Sequence, residues 1–218
     1  PEWKNEGALK YQKEDYFVSF SFGKIYGIVG ENGIGKSTFL RKLSGLENEK
    51  GSHFSLFGKE LRKRQRLALS AMVMQDVNQQ LFGDSVEEEM ELGKTGQKRS
   101  LKERCEGIID GQENEQNKTR PHNTTKEELL NALGLSELKD RHPMSLSGGQ
   151  KQRLALAATL YQEAKLFFFD EPTSGMDQKN MLRIARLLKS AIREDRIFFI
   201  VSHDYAFLQK VADEVMEI

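Results

Sequence analysis

Gly30-Glu31-Asn32-Gly33-Ile34-Gly35-Lys36-Ser37-Thr38 fits the pattern Gly-x-x-x-x-Gly-Lys-Ser/Thr at every position. The apolar run Ile25-Tyr26-Gly27-Ile28-Val29 precedes it, and a helix-compatible Phe39-Leu40-Arg41-Lys42-Leu43 follows. A glycine-rich turn between a strand and a helix is the setting in which this pattern binds phosphate. With no Cβ in the way, glycines let consecutive backbone N–H groups curl around phosphate oxygens. The helix behind the turn adds unpaired N–H groups and the positive end of its dipole. The expected phosphate-binding set is Gly30, Asn32, Gly33, Gly35, Lys36, Ser37 and Thr38. Within it Lys36 is placed for the β- and γ-phosphates, and the Ser37 hydroxyl for Mg²⁺.

Working outward, the last third of the chain supplies the sheet that such a loop needs. A helix expected from Gln150 to about Gln162 leads to the apolar strand Leu166-Phe167-Phe168-Phe169. A second helix, about Asp177 to Arg193, leads to Ile197-Phe198-Phe199-Ile200-Val201. Continuous apolar strands alternating with helices predict an α/β fold with a mostly parallel sheet covered on both faces. Ligands of such sheets bind at the carboxyl ends of the strands. Asp170-Glu171 stands at that end of the phenylalanine strand, where an aspartate can hold Mg²⁺ and a second carboxylate can polarise a water.

Before the loop, Val18, Phe20 and Phe22 alternate with serines, which predicts a half-buried strand. Phe54 and Leu56 mark one side of another short strand, and Gly45 is placed to end the first helix. Leu67 to Met74 reads as one apolar run. From Gly93 to Thr125 apolar content collapses, which predicts a solvated insertion over about 94–125, with one short helix opened by Ser100-Leu101-Lys102-Glu103. Thr125-Lys126-Glu127-Glu128 then opens a helix that stops at Gly134.

Composition narrows the function classes. Thirty-three basic residues balance 33 acidic ones, so bulk charge offers no electrostatic footprint for nucleic acid, and none is expected as a partner. The single cysteine, Cys105, excludes an intrachain disulfide. No apolar run approaches the roughly 20 residues that span a bilayer. A membrane role would therefore need another chain to do the spanning. Starting at Pro1 and ending in an apolar run at Ile218, the sequence reads as a segment of a longer polypeptide.

Leu146-Ser147-Gly148-Gly149-Gln150 carries a second anion signal. Ser147 and Gln150 form a capping box, and two glycines fill the first helical turn at a cost of about 1 kcal/mol each relative to alanine. Close approach of an anion to bare N–H groups explains that composition.

Leu146 to Arg153 resembles the signature of ATP-binding-cassette (ABC) ATPases. Met74-Gln75-Asp76 resembles their glutamine loop, Phe169 to Asp177 their acidic strand and D-loop, and Val201-Ser202-His203-Asp204 their switch-histidine segment. These motifs stand in family order across nearly the whole chain. The resemblance implies one ABC ATPase domain over 1–218: a phosphate-loop NTPase core, an antiparallel β subdomain and a helical subdomain at about 76–162. It implies ATP and Mg²⁺ as ligands and a head-to-tail dimer. In that dimer Ser147, Gly148, Gly149 and Gln150 of one cassette close over the ATP held by the other. Tyr11 is expected to stack on adenine, with Tyr16 the weaker candidate. Gln75 contacts Mg²⁺ or the attacking water beside Asp170, Glu171 is the general base, His203 clamps the γ-phosphate, and Asp177 communicates across the dimer.

Gln75 to Glu89 further resembles the ATPases of energy-coupling-factor importers for vitamins and transition metals, with Val77 where many relatives have proline. The expectation is an ATPase that powers a membrane importer from the cytoplasmic face of the membrane. The alternative is a soluble ABC ATPase acting on ribosomes or DNA. The transported substrate is not encoded in these motifs.

Overall fold

The computed structural model describes residues 9–92 and 124–218. Most of the polar insertion and the helix expected at Ser100 lie outside them. A five-stranded parallel sheet forms the centre, built from β3 (Lys24–Val29), β6 (Ser70–Val73), β7 (Leu166–Asp170), β8 (Ile197–Val201) and β9 (Glu214–Glu217). Its strand order is β6-β7-β8-β3-β9. A four-stranded antiparallel sheet, ordered β2-β1-β4-β5, comprises β1 (Leu9–Lys13), β2 (Tyr16–Phe20), β4 (Ser52–Leu56) and β5 (Lys59–Glu60). The α/β class and both sheets agree with the sequence reading.

The phenylalanine strands show why the sheet is covered on both faces. Phe167 and Phe169 of β7 and Phe198 and Ile200 of β8 pack in one core. That core is completed by Leu154 and Ala155 of α5 (Gly148–Leu160), Leu188 of α6 (Gln178–Ala191) and Phe207 of α7 (Tyr205–Val211). Leu166, Phe168, Ile197 and Phe199 point the other way, into a core with Leu40 and Leu43 of α1 (Lys36–Ser44) and with Phe20, Phe54 and Leu56 of the antiparallel sheet. Each phenylalanine fully removed from water contributes about 1.5–3 kcal/mol, so two dry faces are what fix this sheet.

Several local signals act as expected. Gly45 ends α1 in the left-handed region at φ 85°. Thr125 and Glu128 form the capping box of α4 (Lys126–Ala132), and Ser147 and Gln150 that of α5. Between β6 and β7 the described residues hold α3 (86–92), α4, α5 and three short 3-10 turns, with no strand among them. The run Leu67–Met74 is not one element. It is split between α2 (Lys63–Leu69) and β6, because Ser70 is extended at φ −107° while its Oγ donates to the Arg66 carbonyl and closes the helix.

Candidate functional site

Four loops meet because four neighbouring strands end on the same side of the sheet. The glycine loop follows β3, Gln75 follows β6, Asp170-Glu171 closes β7 and His203 follows β8. Parallel pairing of Val73 with Phe169, of Asp170 with Val201, and of Ile28 with Val201, brings the four loops together. They line a cleft of about 490 Å³ in which Asn32, Gly33, Gly35, Lys36, Ser37 and Thr38 face Gln75, Asp170, Glu171 and His203. Gly33 and Gly35 have φ of 82° and 109°, left-handed values that a side chain would strain.

Lys36 is buried, and its Nζ donates to the Gly30 and Glu31 carbonyls at 2.9 and 2.8 Å. Ser37 donates to the buried Asp170 carboxylate, whose Oδ1 has no hydrogen-bond partner. Burial pushes the Asp170 carboxyl above its usual range, against the pull of Ser37 and Lys36. A buried carboxylate oxygen without a donor is expensive unless a cation takes it, so the Ser37–Asp170 pair fits Mg²⁺.

Glu171 has a left-handed backbone, φ 51°, held by its N–H on the Val201 carbonyl at 3.0 Å and by Gln152 Nε2 on its own carbonyl at 3.4 Å. Its Oε1 lies 3.3 Å from His203 Nε2, at ion-pair distance but without hydrogen-bond geometry. Its Oε2 accepts from Ser202 Oγ at 3.5 Å. Burial raises the Glu171 carboxyl, the electrostatic pull of His203 and a bond from its backbone N–H oppose this, and the Asp170 charge adds to it. An acid so placed takes up a proton more readily than an exposed glutamate, which suits a general base.

The remaining expected residues are elsewhere. Ser147, Gly148 and Gly149 lie outside the cleft lining, at the exposed start of α5. A Cβ at Gly148 would meet nothing within 4 Å, and one at Gly149 only Arg153 at 3.7 Å. Packing among the described residues therefore gives no reason for either glycine. Asp177 caps α6 through the Asn180 N–H at 2.8 Å.

Tyr11 requires a correction. It is 4% exposed, with its ring against Phe39, Phe54 and Tyr16. Its hydroxyl donates to Glu49 at 2.6 Å, so it is a core residue and not an adenine platform. Sequence alternation places Tyr11 on the same strand face as Leu9, which is fully buried, and that was the available signal. Sequence reasoning also missed Ser202 and Gln152 beside Glu171. The Ser202 contact arises from pairing between strands distant in the chain, and the Gln152 contact from a helix, α5, set beside the end of β7.

Comparison with known proteins identifies the family. The ABC transporter family profile matches residues 14–174. A putative ABC transporter ATP-binding protein of Treponema denticola is 38% identical over 93% of the chain, which spans only 37% of that relative's length. The energy-coupling factor transporter ATP-binding protein EcfA1 of Thermotoga maritima is 34% identical over 91% of the chain and 69% of its own length. A solved ATP-binding subunit of an ABC transporter superposes with a TM-score of 0.73 at 18% identity, covering 97% of this chain and 85% of that one.

Proposed function

The chain belongs to the ABC transporter family, and on that premise we propose that it binds ATP in the cleft and hydrolyses it as one of two paired cassettes. The observation that carries this reading is the convergence of Lys36, Ser37, Gln75, Asp170, Glu171 and His203 on one cleft. The glycine loop and Lys36 bind the phosphates. Ser37, Asp170 and Gln75 would hold Mg²⁺, which supplies charge neutralisation on the phosphate oxygens. Glu171 accepts a proton from the attacking water as the oxygen–phosphorus bond to the γ-phosphate forms and the bond to ADP breaks. Gln75 orients that water, and His203 holds the γ-phosphate.

The second half of each site comes from another cassette. The bare, exposed start of α5, with glycines that nothing among the described residues requires, supports its closing over the partner's nucleotide. Asp177, the N-cap of α6, is the communicating residue across that interface. The whole reads as a single ABC ATPase domain whose helical part spans about 76–162.

The transporter role is the finer part of the proposal. The segment Gln75 to Glu89 and the similarity to EcfA1 support an importer of energy-coupling-factor type for a vitamin or metal ion. No helix among the described residues is long and apolar enough to cross a membrane. The cassette would work against the cytoplasmic face of an integral membrane subunit. Single-turnover hydrolysis by the Glu171→Gln variant of the assembled ATPase tests the site, and unchanged hydrolysis removes Glu171 as base. Co-purification with ribosomes in place of a membrane subunit would overturn the importer reading. The described segment alone is expected to be nearly inactive when dilute, with turnover rising as cassettes pair.

A further inference from the structure

Glu171 is supported by two neighbours that the reaction chemistry leaves unassigned, and one of them touches its carboxylate. Pairing of Asp170 with Val201 is the last step of the β7–β8 ladder. The next residue on each strand, Glu171 and Ser202, therefore leaves the sheet side by side. Ser202 is 2% exposed. A serine hydroxyl has one proton to give and lone pairs to receive. The Asp204 N–H donates to the Ser202 Oγ at 3.1 Å, which leaves the hydroxyl proton for Glu171 Oε2, 3.5 Å away. That distance is long for an O–H···O bond, and bonds of this kind tighten when substrate closes the site.

We infer that Ser202 is a positioning residue for hydrolysis: its hydroxyl fixes one oxygen of the Glu171 carboxylate, so that the other is aimed at the attacking water. Ser202 is not among the residues that line the cleft. It selects the carboxylate rotamer, and through Asp204 it ties that rotamer to the turn that carries His203. Oε1, beside His203 and without a hydrogen-bond donor, is then the oxygen presented for chemistry. The role rests on the reading of Glu171 as base.

The test compares Ser202→Ala, Glu171→Gln and the double variant in the assembled ATPase, by kcat, KM for ATP, single-turnover rate and equilibrium ATP binding. Misplacing a reacting group by about an ångström costs up to about 100-fold, and a loosened carboxylate that still samples its working position should cost about 10-fold. Ser202→Ala is expected to lower kcat by that factor, while KM and ATP affinity stay within about twofold. In the Glu171→Gln background it should add nothing, because the carboxylate it orients is gone. An equal loss in both backgrounds would route the effect through the histidine turn and overturn the proposal, as would a change confined to KM. If Glu171→Gln itself leaves single-turnover hydrolysis intact, the base assignment fails. If Glu171→Gln is inactive and Ser202→Ala is not impaired, only the positioning role fails.

Discussion

Glu49 and Glu171 are both glutamates with little solvent exposure, 8% and 13% at the side chain, yet their surroundings treat them in opposite ways. Glu49 receives the Tyr11 hydroxyl at 2.6 Å, Lys42 Nζ at 2.7 Å and Lys13 Nζ at 3.1 Å. Burial pushes its carboxyl upward, but these three donors win and bring it down to about 2. Glu171 has a distant hydroxyl, the His203 backbone N–H and an exposed imidazole, and burial wins. Burial does not decide the state of an acid; the count and closeness of donors do. The sated carboxylate ties β1 to α1, the helix behind the glycine loop. The under-satisfied one faces the cleft, where an unmet hydrogen-bonding demand is usable.

The sharpest test of this contrast is functional. Glu171→Gln should lower single-turnover hydrolysis by about 10²–10⁴-fold, the range for loss of a general base, with nucleotide affinity retained. Glu49→Gln should leave hydrolysis per folded cassette unchanged. Its cost falls on stability instead, about 2–3 kcal/mol by urea unfolding at pH 7. Glu49 is lowered from 4.5 to about 2, so its stabilisation is present above pH 4.5 and fades as pH falls toward 2. The gap between Glu49→Gln and the parent should narrow over that window, and a constant gap would show that the ionised form is not what stabilises.

Tyr11→Phe is a smaller probe of the same cluster. It removes one donor to Glu49 and keeps the ring, for an expected loss of about 1 kcal/mol. ATP affinity should stay within about twofold, and a larger drop would return Tyr11 to the nucleotide. The smallest effect has the opposite sign. Because burial raises the Glu171 carboxyl, its charged form opposes folding, so Glu171→Gln without nucleotide should melt about 1–2 °C higher at neutral pH. That gain is absent in acid and grows as pH rises from the usual carboxylate value through the raised one. A variant that melts lower would break the comparison.

These cases also mark what a single sequence discloses. The strand Ile197–Val201 was legible to the residue, because five consecutive apolar residues between polar flanks leave no alternative register. The capping boxes at Thr125 and Ser147 were legible because their partners lie three residues apart. The cleft residues were legible as motifs, each local to one loop. Glu49 drew no notice, since its donors stand 38, 36 and 7 residues away and nothing local distinguishes it from a surface acid. Ser202 at Glu171 is the same kind of case, a contact set by the pairing of two strands. Tyr11 was misassigned because an aromatic at the right distance from a glycine loop says nothing about which face of its strand is covered.

Lys126 opens α4, and its ammonium bonds Glu87 at 2.7 Å and Glu91 at 3.2 Å, both on α3. The two helices that bracket 93–123 are thereby clasped beside each other. Because the contact is made by the bracketing helices themselves, a change of length between them is expected to leave α3 and α4 side by side. The clasp makes this a splice point, where a reporter or a foreign binding module is expected to insert while the ATP cleft keeps its shape.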